Sequence, residues 1–255
     1  MRIGLNSDMG EGFGPYRVGE DAALMAVVSS ANIACGFHAG DPNIMVDMVR
    51  HAKRNGVEIG AHPGLADRQG FGRREIPMEP DEMVQAVLYQ LGALQAIAAV
   101  EGCRLAHMSF HAAMGNMVCA DAALAERVLK AVRAFDRELL VYGMPDTEVV
   151  LAARRLGMRT VTMFLADRAY DAEGRLVSRK RPNSVFTDHE AVAKRVAQFL
   201  DDGSVTTIEG RRIQVHAQAI LVHSDTPGAL GLAKTVREVV ERGGGQVVPP
   251  SQLCH

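Results

Sequence analysis

Short apolar runs alternate along the chain with longer stretches that place apolar residues at helical spacing. Each run has the length of a buried strand, and each longer stretch has the length and spacing of an amphipathic helix. A strand followed by a helix recurs about seven times, which predicts a parallel sheet with right-handed crossovers. The predicted strands are 3–7, 31–35, 57–61, 105–110, 139–142, 160–165, 219–222 and a short final one at 246–248.

Capping residues mark where several helices begin and end. Asp41 and Pro42 fit the N-cap and the first position of a helix, and Gly56 fits its C-terminal cap. Thr187 and Glu190 have the spacing of a capping box. The predicted helices are 20–29, 43–55, 81–101, one beginning at Asp121, 146–157, 187–200 and one beginning at Thr226.

Polar side chains follow the predicted strands at their carboxyl ends, within or beside glycine-rich turns. They are Asp8, His38, His62, His111 and His223. An open doubly wound sheet and a barrel both fit the repeat, but a barrel brings all strand ends to one mouth. We therefore predict one barrel domain over residues 1–255, with a small hairpin insertion near 204–216 that turns at Glu209-Gly210.

Composition and charge exclude several classes of function. The formal net charge is −2, so no global field attracts nucleic acid or an anionic membrane. No apolar run approaches the ~18 residues of a membrane helix, and the N-terminus turns polar too early for a signal peptide. The expected location is the cytoplasm. The cysteines are Cys35, Cys103, Cys119 and Cys254. They are scattered along the chain without a C-x-x-C pair, so they predict neither a disulfide framework nor a structural zinc site.

Asp8, His38 and His62 form a set that could carry chemistry. One carboxylate and two imidazoles can hold a divalent metal with positions left open for water. Such a metal lowers the pKa of the bound water and polarises a carbonyl. In the alternative interpretation, each side chain acts as a general acid or base, or contacts substrate, without a metal. The residue types and spacing leave both interpretations open.

Two long polar loops contain several arginines. Arg guanidinium groups bind carboxylates in a bidentate manner, so the loops suit a small anionic substrate, although a solvated surface or an ion-pair network also fits. Asp225 follows His223 closely enough to orient it or to take part in catalysis. Neither a Walker-type phosphate loop nor a G-x-S-x-G motif is present, so any ATP is expected to be handled by another chain. The loop arginines are Arg68, Arg73, Arg74, Arg168 and Arg179.

Five stretches, in order and spread over nearly the whole chain, closely resemble the LamB/YcsF family, also known as the A component of 5-oxoprolinase. They are N-S-D-M-G-E-G-F-G (6–14), S-A-N-I-A-C-G-F-H-A-G-D-P (30–42), G-A-H-P-G-L-A-D-R-Q-G-F-G-R-R (60–74), A-D-R-A-Y-D-A-E-G-R-L-V (166–177) and V-H-S-D-T-P-G-A (222–229).

The resemblance implies a distorted (β/α) barrel of about seven parallel strands, related to the glycoside hydrolase/deacetylase superfamily. It also implies ATP-dependent opening of 5-oxoproline to glutamate with two partners, the kinase-like, carboxylase-related subunits B and C; a homo-oligomer is a further expectation. The catalytic candidates are Asp8, His38, His62 and His111. The substrate-binding candidates are Asn6, Glu11, Asn32, Asp67, Arg68, Arg73, Arg168 and His223.

One stretch departs from the family pattern. Residues 108–116 read M-S-F-H-A-A-M-G-N, where the family typically reads V-K-P-H-G-A-L-Y-N, so Ser109 replaces a lysine and Gly115 a tyrosine. Ser224 likewise replaces a glycine. A lysine at a barrel mouth could hold a carboxylate, a phosphate or an oxyanion. Three alternatives therefore stand beside the family reaction: hydrolysis of a different lactam, metal-dependent deacetylation of an amide or carbohydrate, and ligand binding without catalysis.

Overall fold

The computed structural model describes residues 1–253, and its centre is a closed barrel of seven parallel strands. The strands are β1 (Arg2–Met9), β2 (Ser30–Ala34), β3 (Glu58–His62), β4 (His107–Met108), β5 (Leu140–Gly143), β6 (Thr160–Leu165), β7 (Ser204–Thr206), β8 (Arg212–Gln214), β9 (Ala219–Leu221) and β10 (Gln246–Val247). The barrel runs β1-β2-β3-β4-β5-β6-β9 and closes where β9 pairs with β1. The predicted fold class is therefore confirmed. Cys254 and His255 lie outside the described residues.

Helices cover the outside of the barrel, and most of them pack against a helix close to them in the chain. They are α1 (Asp21–Met25), α2 (Pro42–Asn55), α3 (Pro80–Val100), α4 (Ala112–Ala120), α5 (Ala122–Phe135), α6 (Glu148–Arg155), α7 (His189–Asp202) and α8 (Ala229–Arg242), with a 3₁₀ turn at Pro250–Gln252. Helix α8 packs against both α7 and α1, which closes the outer layer beside the β9–β1 seam. Because all seven barrel strands pair in parallel, their carboxyl ends lie at one mouth.

Residues at both ends of helix α2 determine where this helix begins and ends. The Asp41 carboxylate accepts hydrogen bonds from the backbone amides of Asn43 and Ile44, and Pro42 occupies the first helical position. Gly56 ends the helix in the left-handed region with φ 65°. All of these caps were predicted from the sequence, because each residue type has one strongly preferred place at a helix end.

Three of the predicted helix starts are wrong. The N-cap of α7 is Asp188, whose carboxylate accepts from the Ala191 amide, and not Thr187. Thr226 does not cap α8, because its hydroxyl donates to a buried carboxylate and Gly228 takes the N-cap position. Helix α6 begins at Glu148 rather than residue 146. In each case a neighbouring residue, or a tertiary contact, competes successfully for the capping role.

The region around β4 differs most from expectation. The predicted strand 105–110 shrinks to the two residues of β4, and helix α4 starts directly after His111. Ala112 opens α4 with φ 34°, in the region that favours glycine. Helix α1 is also shorter than the predicted helix 20–29. Weak apolar periodicity in 112–120 concealed α4, which packs against α5 and α6.

Helix α3 contains a longer uncharged stretch than the sequence analysis recognised. By length and composition alone this helix could cross a membrane. In the structure it packs against α2, α5 and β3. Its buried side chains, which lie along the packed face, are Met83, Val84, Val87, Gln90, Leu91, Leu94 and Ala98. Strands β7 and β8 form an antiparallel hairpin outside the barrel, with the turn closed by a hydrogen bond from the Gly210 amide to the Thr207 carbonyl.

Candidate active site

A cavity of about 580 Å³ opens at the carboxyl ends of the barrel strands. Polar side chains line its base, apolar side chains from β5, β6 and β9 line its wall, and cationic side chains from two long loops line its rim. The polar base includes Asp8, His62, Ser109, His111 and His223. The cationic rim comprises Arg73, Arg168, Arg179 and Lys180.

Three histidines and one glutamate converge beside the base of this cavity. The rings of His38 and His111 are stacked, with centroids 3.7 Å apart and planes within 5° of each other. His62 meets His38 and His111 edge-on. The Oε1 atom of Glu11 lies 3.3 Å from His38 Nε2 and 3.4 Å from His111 Nδ1. All four side chains are buried.

Glycines in the loop after β3 make room for these rings. A Cβ atom on Gly64 would overlap the ring of His38, and one on Gly72 would press on both His38 and His111. Gly72 also has φ 64°, which disfavours a side chain on independent grounds. Glycine is therefore needed at these two positions of the loop because the histidine rings pack directly against the backbone there.

Hydrogen bonds to backbone carbonyls fix the tautomers of two of the histidines. His62 Nδ1 lies 2.7 Å from the Ser109 carbonyl oxygen, and His111 Nε2 lies 2.8 Å from the Phe71 carbonyl oxygen. A carbonyl only accepts, so in each neutral ring that nitrogen carries the hydrogen and the other nitrogen presents a lone pair. Burial lowers the pKa of both rings, which keeps them neutral.

The two lone-pair nitrogens, His62 Nε2 and His111 Nδ1, then face each other at 3.0 Å. Two lone pairs at this distance repel unless a proton or a cation lies between or beside them. Burial, and then the charge of Asp8, raise the pKa of Glu11 well above its usual range, so its carboxyl group can hold such a proton. The cluster is thus built around a positive charge or a shared proton.

The donor set fits a divalent metal ion. One donor atom from each of Glu11, His38, His62 and His111 lies within 4.8 Å of the others. Imidazole nitrogen and carboxylate oxygen are ordinary zinc ligands, and the lone pairs of His62 and His111 are already presented by their backbone hydrogen bonds. Asp8 of the predicted set Asp8, His38 and His62 is outside this group, and its Oδ1 lies 3.5 Å from His62 Nε2.

A second acid–base pair joins the ends of β6 and β9. Asp167 is fully buried, and its two carboxylate oxygens lie 2.9 and 3.0 Å from His223 Nδ1. The Thr226 hydroxyl donates to the same carboxylate at 2.6 Å. Burial opposes the charge on His223, but the Asp167 carboxylate outweighs it and raises the pKa of the ring. The His223 side chain lies on the cavity.

Asp167 is the functional candidate that the sequence analysis missed. It stands two residues beyond the end of β6, so the rule that found the other strand-end residues applies to it equally. Asp225 was predicted either to orient His223 or to take part in catalysis, but the carboxylate that bonds His223 Nδ1 belongs to Asp167. Asp225 instead accepts from Arg73 and Arg179.

A buried hydrogen-bond network lies beneath Asp8 inside the barrel. The Asn32 amide donates to Asp8 Oδ1 at 2.8 Å and to Asn6 Oδ1 at 2.7 Å. His107 Nε2 donates to Asn32 Oδ1 at 2.8 Å, and Asn6 donates to Ser30 Oγ at 2.8 Å. Burial lowers the pKa of His107 to about 3, so it is neutral. The network holds the orientation of the Asp8 carboxylate.

The predicted site residues fall into three groups. Those on the cavity are Asp8, His62, His111, Arg73, Arg168 and His223. Those packed behind the polar base are Asn6, Glu11, Asn32 and His38. Asp67 and Arg68 instead line a separate open concavity beside Gly36 and Phe37. There Asp67 pairs with Arg74, and Arg68 donates to the Gly36 carbonyl and lies over the Phe13 ring.

Fold and site define a parallel (β/α) barrel with a carboxylate–histidine centre at its mouth, the usual location of active sites in such barrels. The model of the LamB/YcsF family matches residues 3–255, and the chain belongs to this family, as the sequence motifs predicted.

Named relatives extend over the whole chain. It is 62% identical over 255 residues, 100% of both chains, to the first of the 5-oxoprolinase A subunits of Bradyrhizobium diazoefficiens. It is 55% identical over 253 residues, 99% of this chain and 98% of the relative, to the 5-oxoprolinase A component of Pectobacterium atrosepticum. The crystal structure of the lactam utilization protein from Thermus thermophilus superposes with a TM-score of 0.91 at 40% identity, covering 97% of this chain and 99% of the other.

Proposed function

We propose that this chain is the component of a 5-oxoprolinase that opens the lactam ring of 5-oxoproline to give glutamate. One observation supports this most strongly: His62 and His111 of the carboxylate–histidine cluster line the same cavity as His223, which is paired with Asp167. Hydrolysis of an amide needs a group that activates water and a group that protonates the leaving nitrogen. The names of the relatives supply the substrate, and the cationic rim agrees with its carboxylate.

Asp8 and His62 are suited to the side of the reaction where water attacks. Asp8 lies on the cavity, and its orientation is held by the Asn32 amide. In the proposed mechanism Asp8 takes a proton from the attacking water as the new carbon–oxygen bond forms. His62 is held by the Ser109 carbonyl, and its Nε2 lies 3.5 Å from Asp8 Oδ1, where it can accept a hydrogen bond from the attacking water.

Glu11, His38, His62 and His111 are the residues that would hold a divalent metal. When bound, a metal of this kind lowers the pKa of water and polarises a carbonyl oxygen. Glu11 would hold such a metal as the ionised carboxylate. Carbonyl hydrogen bonds already hold the rings of His62 and His111, and the close approach of Gly64 and Gly72 confines His38.

His223 is suited to protonate the leaving nitrogen. Its Nδ1 is held by Asp167, so Nε2 is the nitrogen free to act in the cavity. The raised pKa favours the protonated ring, and the imidazolium can transfer its proton as the carbon–nitrogen bond breaks. The products are the new carboxylate and the free amine of glutamate.

ATP enters this scheme through partner chains. The sequence has no Walker-type phosphate loop, and the relatives are named as one subunit of their enzymes, which implies further subunits there. A five-membered lactam is a stable amide, so coupling to ATP hydrolysis is chemically reasonable. We propose that subunits B and C, of the kinase-like and carboxylase-related type, supply this step.

A second candidate is metal-dependent deacetylation of an acyclic amide. The glutamate and three histidines that could bind a metal favour it. The two functions differ in their products, because a deacetylase releases acetate and a lactamase releases one ring-opened molecule. Substrate requirements differ too, since only the lactam reaction is expected to need ATP and partners.

Glutamate release from 5-oxoproline and ATP, with this chain and the two partner subunits of its own source, tests the proposal. We expect turnover only when all three chains are present. An assay with acetylated amides and added zinc, cobalt or manganese runs in parallel. Acetate release without glutamate release would favour the second candidate, and activity in neither assay, with partners proven active beside another member of the family, would refute both.

A further inference from the structure

Asp225 joins two guanidinium groups that come from different loops. Arg73 belongs to the loop between β3 and α3, and Arg179 to the loop between β6 and α7. Asp225 itself lies in the loop between β9 and α8. Its Oδ2 accepts from Arg73 at 2.5 Å and its Oδ1 accepts from Arg179 at 3.4 Å. One carboxylate therefore connects three loops at the barrel mouth.

The two arginines, unlike Asp225, belong to the cavity lining. Arg73 and Arg179 both line the cavity. The Asp225 side chain is 13% exposed, against 37% for Arg73 and 25% for Arg179. The guanidinium of Arg73 also lies 4.9 Å from the centre of the Phe71 ring, which limits its movement. Each guanidinium has five N–H donors, so most of them remain for a ligand after the bond to Asp225.

Cations outnumber anions along this rim. Arg168 and Lys180 line the cavity beside the Arg73–Arg179 pair, and Asp225 is the carboxylate that both members of the pair share. Burial, and then the nearby charge of Arg179, lower the pKa of Arg168 to about 10, as expected where positive charges crowd together. An anionic ligand would relieve this crowding.

We propose that Asp225 is a positioning residue that assembles Arg73 and Arg179 into one subsite for the substrate carboxylate. The inference rests on the proposed lactam hydrolysis and adds to it which side chains recognise the carboxylate. Without Asp225 the two guanidinium groups repel each other and their loops lose a shared contact. With it, both present N–H groups to the same region of the cavity, as bidentate carboxylate recognition requires.

Selectivity for lactams that carry a carboxylate follows from this arrangement. A lactam without one, such as 2-pyrrolidinone, presents no group to the arginine pair. The contribution of Asp225 to binding is thus expected for 5-oxoproline and not for 2-pyrrolidinone. A residue that only stabilised the mouth of the barrel would affect both ligands alike.

The test is Asp225→Asn in the complete enzyme with its partner subunits. We expect KM for 5-oxoproline to rise about fivefold or more, kcat to stay within about twofold, and the inhibition constant of 2-pyrrolidinone to stay unchanged. Asp225→Glu should restore much of the lost affinity. Glu173→Gln is the matched control, because Glu173 forms an exposed ion pair with Arg175 in one of the same loops but outside the cavity.

Arg179→Gln tests the inference if the Asp225 variant does not fold, and it should raise KM for 5-oxoproline in the same way. An unchanged or lower KM in both variants, or equal weakening of 5-oxoproline and 2-pyrrolidinone, would overturn the inference. A wild-type enzyme without lactam turnover contradicts the proposed function instead. The two failures are therefore distinguishable.

Discussion

Asp167→Asn removes the charge behind His223 and keeps the size of the side chain. The asparagine oxygen can still accept from His223 Nδ1, while the charge-assisted part of that hydrogen bond is lost. Hydrogen bonds to charged groups contribute about 1.5–3 kcal/mol. Since one pKa unit corresponds to about 1.36 kcal/mol, the pKa of His223 should fall by about one to two units.

The consequence for activity has a defined sign. The protonated form of His223 is the proposed acid, so kcat/KM declines on the alkaline side as pH rises through its raised pKa. In the variant this decline should begin about one to two pH units lower. At a pH on the alkaline limb of both enzymes the rate should therefore drop by about ten- to a hundredfold, with a smaller loss at a pH below the alkaline limb of the variant.

Stability should change in a related way. Because the folded-state pKa of His223 is raised, its contribution to the free energy of unfolding is complete below the usual value of 6.5. That contribution is lost as pH rises through the raised pKa. Urea unfolding of Asp167→Asn should lack this pH dependence and show a loss of about 1.5–3 kcal/mol near pH 6.

The measurement is the pH profile of kcat/KM for the complete enzyme, with Asp201→Asn as the control. Asp201 is an exposed aspartate near the end of α7. An alkaline limb that stays in place in Asp167→Asn would refute the role of His223 as the acid. It would leave the Asp167–His223 pair with a structural role.

Further predictions concern the cluster and its packing. Removal of divalent metal by a chelator should abolish turnover, and Glu11→Gln should lower the bound metal measured by mass spectrometry. Wild-type metal affinity should rise with pH, because the metal displaces the proton that burial favours on Glu11. Gly60→Ala should lower the free energy of unfolding by about 2–3 kcal/mol, because its Cβ would overlap the His107 ring. Gly92→Ala, with open space around it, should instead stabilise by about 0.5–1 kcal/mol; the opposite order of these two variants in urea unfolding would contradict the packing argument.

The barrel could be predicted from the sequence because its signals are local. A buried strand, a polar residue at its end and a capped helix each span only a few residues, and α2 shows all the expected caps. The short length of β4 and the presence of helix α4 were not predicted, because tertiary packing overrides weak local propensity there. Family membership was likewise available from motifs, which the match over residues 3–255 confirmed.

The composition of the site was harder to predict, because its contacts join distant parts of the chain. Glu11 meets His111 across 100 positions, and Gly10 with φ 69° helps turn the chain after β1 back toward the cluster. No local spacing reports such a contact. Asp67 and Arg68 match the family motif, yet the chain directs them to another concavity, where they bind loop residues. Asp167 could have been predicted because it follows the carboxyl end of β6, but it also begins a long polar segment and was not distinguished from the other polar residues there.

The Asp8→Asn variant tests whether lactam hydrolysis occurs at this barrel mouth. It is compared with the wild-type chain in the glutamate-release assay with ATP and both partner subunits. We predict a loss of turnover of at least about a hundredfold, while 5-oxoproline still binds the isolated variant in calorimetry and the unfolding transition stays near that of the wild type. His216→Gln, on an exposed histidine outside the barrel mouth, should have no effect. Full turnover by Asp8→Asn would show that the chemistry lies elsewhere.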